Sequence, residues 1–161
     1  MSIDARRIEE VLGEGTDELA AAAAARLIER AEAEGLVDVA YATFDSPLGT
    51  GHIAATARGV VSVGLPNLAA DRFLAQLASG VSPRVLELPR RLDEARRELD
   101  EYFEGQRHEF ELALDWELVR SPFRSRVLHE TALVPYGVTS TYGEVAARAG
   151  NPRAYRAATS P

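Results

Sequence analysis

The side chains in this sequence that could do chemistry are mostly guanidinium groups. All 18 basic residues are Arg, and neither Lys nor Cys occurs among the 161 positions. Lacking Cys, the chain has no thiolate nucleophile, no disulfide and no sulfur-based zinc site. Lacking Lys, it has no amine for Schiff-base chemistry. His52, His108 and His129 are far apart, with neither helical nor strand spacing, so neither a metal site nor a cofactor is expected. Guanidinium groups suit phosphate and base recognition. The sharpest arrangement of them is in the closing stretch STYGEVAARAGNPRAYRAATSP, where Arg153 and Arg156 stand at i and i+3. That spacing puts both on one face of a helix. Asn151-Pro152 reads as an N-cap followed by proline at the first helical position, and a helix start offers free N–H groups to phosphates. Tyr142, beside a capping Thr141, could hydrogen-bond a phosphate or stack on a base.

These residues need helices to hold them, and the sequence supplies the signals. Ser121-Pro122 opens one helix, whose apolar stripe starts with Phe123, Val127 and Leu128 and which ends at Pro135–Gly137. Thr141 and Glu144 form a capping box for a second helix from Tyr142 to about Ala149, stopped by Gly150. RAYRAA then begins a third. Two helices joined by a tight glycine-containing turn fit a helix-turn-helix and fit a helical bundle as well.

Upstream, residues from about Ile3 to Gly35 read as helix, with an alanine run and Gly35 as its stop. Its narrow apolar face (Leu19, Leu27, Ile28) fits packing on the domain or binding a partner. VAYATF reads as a strand, and HIAATARGVVSVGL as two strands around a turn at Ala57–Gly59. NLAADRFLAQLASG reads as a helix capped by Asn67, and VSPRVLELP as a linker. RLDEARRELDEYFEG is an amphipathic helix with Leu92, Ala95, Leu99, Tyr102 and Phe103 on one face. HEFELAL alternates as a strand does, with Phe110, Leu112 and Leu114 on one side. Tyr102, Phe103 and Phe110 are expected in the core.

The net charge of −7 argues against a general nucleic-acid binder. It is unevenly spread: Ser121–Pro161 carries +3 (Arg124, Arg126, Arg148, Arg153 and Arg156 against Glu130 and Glu144) and the preceding 120 residues −10. An acidic body with one basic end suits contact with nucleic acid through a single element, and equally arises from chance surface charge. No apolar run approaches the roughly 20 residues of a membrane span, and the N-terminus lacks a secretory pattern, so a cytoplasmic monomer is expected.

From Val39 to Ala157 the sequence resembles the O6-alkylguanine-DNA alkyltransferases, the methylated-DNA–protein-cysteine methyltransferases. FDSPLGTGHIAATARGVVSVGL is similar to the first hairpin of that family, and RELDEYFEGQRHEFELALD to its L-x-x-Y-F-x-G-x-R-x-x-F passage. SPFRSRVLHETALVPYGVTSTYGEVAARAGNPRAYRA resembles the opening of its DNA-binding domain. There Phe123, Val127, Pro135, Gly137, Thr141, Tyr142, Ala146, Gly150, Pro152, Ala154, Arg156 and Ala157 keep the family's order and spacing. The resemblance implies an α/β fold: a ribonuclease-like N-terminal domain with a small antiparallel sheet, then an incomplete winged helix-turn-helix DNA-binding domain. The expected divisions are a helical extension (1–36), the α/β domain (37–118) and the partial DNA-binding domain (119–161).

The resemblance also assigns roles. Tyr142 would crowd the phosphate of the target nucleotide, and Arg156 would enter the duplex and fill the space of the extruded guanine. Thr141, Asn151 and Arg153, from their capping and helix-face positions rather than from the resemblance, are expected to join them in contact with duplex DNA carrying alkylated guanine. Flipping a base costs a few kcal/mol of unstacking, which a planar, stacking guanidinium can offset. The family's acceptor Cys lies in a P-C-H-R motif that these 161 residues do not reach, so no catalytic residue is expected and alkyl transfer is expected to fail. Phe123, Val127, Leu128 and Val145 would then lack packing partners. Three functions stand as expectations: an alkyltransferase competent only if the product continues, a non-catalytic DNA-binding or alkyltransferase-like protein, and an interaction protein using the N-terminal helix.

Overall fold

The structure, a computed structural model, describes residues 19–152 apart from residue 21. It divides into two compact units, Met1–Asp38 and Val39–Pro161. In the first, helix α1 covers residues 22–33. It ends as expected at Gly35 (φ 65°), where Leu36 N–H donates to Ala31 O and Gly35 N–H to Glu32 O. This paired pattern is the Schellman stop, which a glycine enters without a Cβ clash. The expected start at Ile3 lies outside the described residues.

The second unit begins with strands β1 (Val39–Phe44), β2 (Gly51–Thr56) and β3 (Gly59–Gly64). Helix α2 (Ala70–Gly80), strand β4 (Val85–Glu87), a 3-10 turn (Pro89–Leu92) and helix α3 (Asp93–Phe103) follow. Helices α4 (Pro122–Ala132) and α5 (Tyr142–Arg148) are the last elements among the described residues. The sheet order is β3-β2-β1-β4. β1 pairs antiparallel with β2, Ala42 opposite Ile53, and β2 pairs antiparallel with β3.

Alternation along β1 assigns its two faces. Val39 packs with Ala54, Phe73 and Leu77, so one sheet face is covered by α2. Phe44, on the opposite face, stacks with Phe103 of α3 at 6.4 Å between centroids. Phe73 and Leu77 are almost fully buried, each contributing about 1.5–3 kcal/mol of apolar burial.

The structure corrects four sequence expectations. The stretch VSPRVLELP is not merely a linker: Val85–Glu87 pairs in parallel with Val39–Tyr41 and extends the antiparallel sheet by one strand. Helix α2 has Ala69 at its N-cap, with no side-chain cap from Asn67. HEFELAL forms no strand. Glu98, only 2% exposed, accepts the Glu111 N–H at 3.0 Å, so a carboxylate takes the place of a ladder partner. Pairing with β3 is confined to Val60 N–H to Ala113 O and Asp115 N–H to Val60 O, each 2.8 Å. Last, Tyr102 and Phe110 are 37% and 44% exposed. Their rings lie 5.2 Å apart in a surface aromatic cluster rather than in the core.

The pairing at Val60 demands a glycine beside it. Gly59 has φ 137°, and a Cβ there would stand 2.2 Å from Ala113 O. Asp115 secures the same corner. It accepts from Thr56 Oγ1 at 2.5 Å, Arg58 Nε at 3.1 Å and Glu117 N–H at 3.0 Å, while Arg58 also pairs with Glu117. Burial pushes the Asp115 carboxyl up, but these donors outweigh it and hold it below its ordinary value.

Candidate nucleic-acid interface

Helices α4 and α5 form from strong local signals. Ser121 Oγ accepts the Arg124 N–H at 3.4 Å, with Pro122 at the first helical position. α4 stops at Ala132, three residues ahead of the expected proline stop. Thr141 caps α5 through the expected box: Thr141 Oγ1 accepts from Glu144 N–H at 3.2 Å, and Glu144 Oε2 accepts from Thr141 N–H at 2.7 Å. Ser140 Oγ also donates to Glu144 Oε2. The Thr141 backbone bond leads these in holding the Glu144 carboxyl below its ordinary value. Both hydroxyls are thereby engaged in a helix cap.

The two helices bury one another's apolar faces. Val127, Val145 and Ala149 form one cluster with Phe123 packed against it. The expectation that Phe123, Val127 and Val145 lack partners is therefore corrected: the α4–α5 contact supplies them. Polar ties reinforce it. Arg148 Nε pairs with Glu130 at 3.2 Å, and its terminal nitrogens donate to Ser140 Oγ. Arg126 Nε donates to Ala149 O at 3.0 Å, and its guanidinium lies 5.9 Å from the Phe123 ring centre. The sequence balance of +3 already counts Glu130, so this pair leaves it unchanged while tying Arg148 within the fold.

Tyr142 is the first residue of α5 and 62% exposed, next to Thr141. Asn151 stands past the other end of a seven-residue helix, about 10 Å along the axis. Its backbone N–H donates to Ala146 O at 2.9 Å, and Gly150 N–H donates to Ala147 O at 3.0 Å, closing a second Schellman turn with Gly150 at φ 87°. The structure therefore brings Thr141 and Tyr142 together and sets Asn151 apart from them. Arg153 and Arg156 lie outside the described residues.

Two ring contacts, overlooked in the sequence, fasten α4 and its following loop to the α/β portion. Trp116 meets His129 at 4.3 Å, and His108 stacks on Tyr136 at 4.1 Å with planes 13° apart. Between these portions runs an apolar cleft of about 730 Å³, with Ile53, Val60, Leu99 and Leu112 on one side and Leu133 and Tyr136 on the other. No spacing rule in sequence joins residues so distant. Among the described residues, no group of three potential ligands is placed to hold a metal ion. No helix among them is long and apolar enough to cross a membrane.

A two-sided small sheet followed by a capped helix pair defines an α/β body bearing a helix-turn-helix-like element. Two family models match this division: "6-O-methylguanine DNA methyltransferase, ribonuclease-like domain" over residues 39–116, and "6-O-methylguanine DNA methyltransferase, DNA binding domain" over residues 122–160. The methylated-DNA–protein-cysteine methyltransferase of Methanosarcina acetivorans is 32% identical over 117 residues, 73% of this chain and 69% of the relative. That of Mycolicibacterium paratuberculosis is 36% identical over 119 residues, 74% of this chain and 66% of the relative. A crystal structure of Mycobacterium tuberculosis OGT in complex with DNA superposes with a TM-score of 0.61 at 28% identity, covering 74% of this chain and 66% of that one. The chain belongs to the 6-O-methylguanine DNA methyltransferase family. It spans between about two fifths and two thirds of the length of the curated relatives it matches.

Proposed function

We propose that these residues engage duplex DNA containing O6-alkylguanine, as the lesion-binding portion of a direct-reversal repair protein acting in the cytoplasm. The observation that carries this reading is the build of the helix pair. An exposed Tyr142 heads a capped α5, and a Gly150 turn leads out of α5 directly into Asn151-Pro152. Tyr142 crowds the backbone of the target nucleotide. Thr141 fixes the start of α5, so that the tyrosine is presented in one direction. Asn151 stands at the exit from α5; beyond it Arg153 contacts phosphate and Arg156 occupies the space left by the flipped base. Residues 37–118 serve as the body that carries the binding portion, 119–161. The relatives are named for transfer of a methyl group to a protein cysteine; no thiol occurs among these 161 residues, so binding is the step assigned to them.

Fluorescence anisotropy with duplexes carrying one O6-methylguanine tests this. The parent chain is expected to bind with a salt-dependent affinity. Arg156→Ala is expected to weaken binding about tenfold, as loss of one base-contacting arginine does. Equal affinity of the parent and Arg156→Ala for the lesion duplex would refute the assignment.

A further inference from the structure

We infer that Arg126 is a positioning residue: from α4 it locks the peptide through which α5 passes into Asn151-Pro152. The inference rests on the DNA-binding reading for its consequence, though not for its geometry. In the turn that ends α5, Gly150 N–H and Asn151 N–H satisfy the carbonyls of Ala147 and Ala146. The Ala149 carbonyl, two residues past Ala147, is beyond the reach of that pattern, one of the acceptors a helix end leaves over. Arg126 Nε fills it at 3.0 Å from a different helix.

That carbonyl belongs to the peptide joining Ala149 to Gly150. Gly150, at φ 87°, is the swivel of the turn, and glycine alone imposes no single rotation there. Holding the Ala149 oxygen fixes one side of the swivel. With the Asn151 N–H already held by Ala146 O, both sides of Gly150 are then tied, which sets the direction in which Asn151-Pro152 leaves. Ala149 is itself buried against Val127 and Val145, so the lock sits on a rigid base. The Arg126 guanidinium lies 5.9 Å from the Phe123 ring centre, an attraction that restrains the side chain in the bonding position.

The bond is made by Nε, which allows a chemical test. Glutamine places its Nε2 the same number of bonds from the backbone and carries no charge. Methionine keeps the apolar stem and has no donor. In amide hydrogen exchange on the full chain, Arg126→Met is expected to speed exchange at Gly150 and Asn151 about fivefold, and Arg126→Gln to restore protection. Amides of β1 serve as the folding control in both variants. With lesion duplex, Arg126→Met is expected to bind about fivefold more weakly at an unchanged salt slope, with Gln again rescuing. Unaltered exchange at Gly150 and Asn151 in Arg126→Met overturns the inference. So does a salt slope lower by about one with Gln failing to rescue, since that marks a phosphate contact. A parent chain that binds no DNA overturns the preceding reading instead, and the exchange result still decides the lock.

Discussion

His108 and Tyr136 lie face to face, 4.1 Å between ring centres and 13° from parallel. His108 follows α3 and Tyr136 follows α4, so one stacked pair spans the boundary between the α/β portion and the helix pair. Tyr136 also meets Tyr102 edge-on at 6.4 Å. Tyr136→Ala should therefore lower stability by about 1 kcal/mol, despite the ring's exposure. A His108/Tyr136 double-mutant cycle should return a coupling of about 0.5–1.5 kcal/mol. Urea titration of the four proteins measures it; additive single-mutant effects would show the stack to be incidental.

Asp115 should govern acid stability at the β2–β3 corner. Its folded value is depressed, so its contribution is complete above the unfolded value of about 3.9 and is lost as pH falls through the folded one. Asp115→Asn, which can still accept but carries no charge, should cost about 1–3 kcal/mol at pH 7. Its penalty should shrink towards pH 2. Thermal melts across that range check the sign, and a penalty that grows on acidification would contradict it.

Removing the α5 cap should have a local effect. Thr141→Ala deletes the acceptor for Glu144 N–H and should cost about 1 kcal/mol, while Thr141→Ser should cost less than half of that. Chemical denaturation compares the two.

Tyr142 should separate stability from binding. Its side chain is 62% exposed, so Tyr142→Ala should change stability by less than about 0.5 kcal/mol. Lesion-duplex affinity should nonetheless fall severalfold. A large stability loss would mean that the ring packs rather than binds.

The polypeptide of these 161 residues should leave the methyl group of an O6-[³H]methylguanine duplex on the DNA, because it contains no thiol. Acid-precipitable label on the protein, stoichiometric with chain, would refute this.

The helix pair was the most legible part of the sequence, because its signals are local. Ser121-Pro122, the Thr141–Glu144 box and Gly150 each act within a few residues, and all three stand as read. Strands were legible where hairpins made them local, as in β2–β3. β4 was not, since three residues between Pro83 and Pro89 acquire their meaning only by pairing with β1, more than forty positions away. HEFELAL misled for the opposite reason: its alternation is real, but Glu98 takes the N–H of Glu111 that a strand neighbour would need. At the candidate site, residue types were readable and their ties were not. Arg126 and Arg148 count alike as positive charge, yet one holds a backbone carbonyl and the other a glutamate.

The parallel placement of β4 also bears on how this protein behaves at high concentration. β1 is sealed on both sides, by β2 and by β4. At one rim of the sheet stands a three-residue strand bracketed by prolines; at the other, β3 is partly capped through Val60 by the 113–115 stretch. Short, proline-flanked or covered rims give a second molecule little backbone to zip onto. The β4 rim is thereby poor ground for fibre growth, and β3 is guarded at Val60.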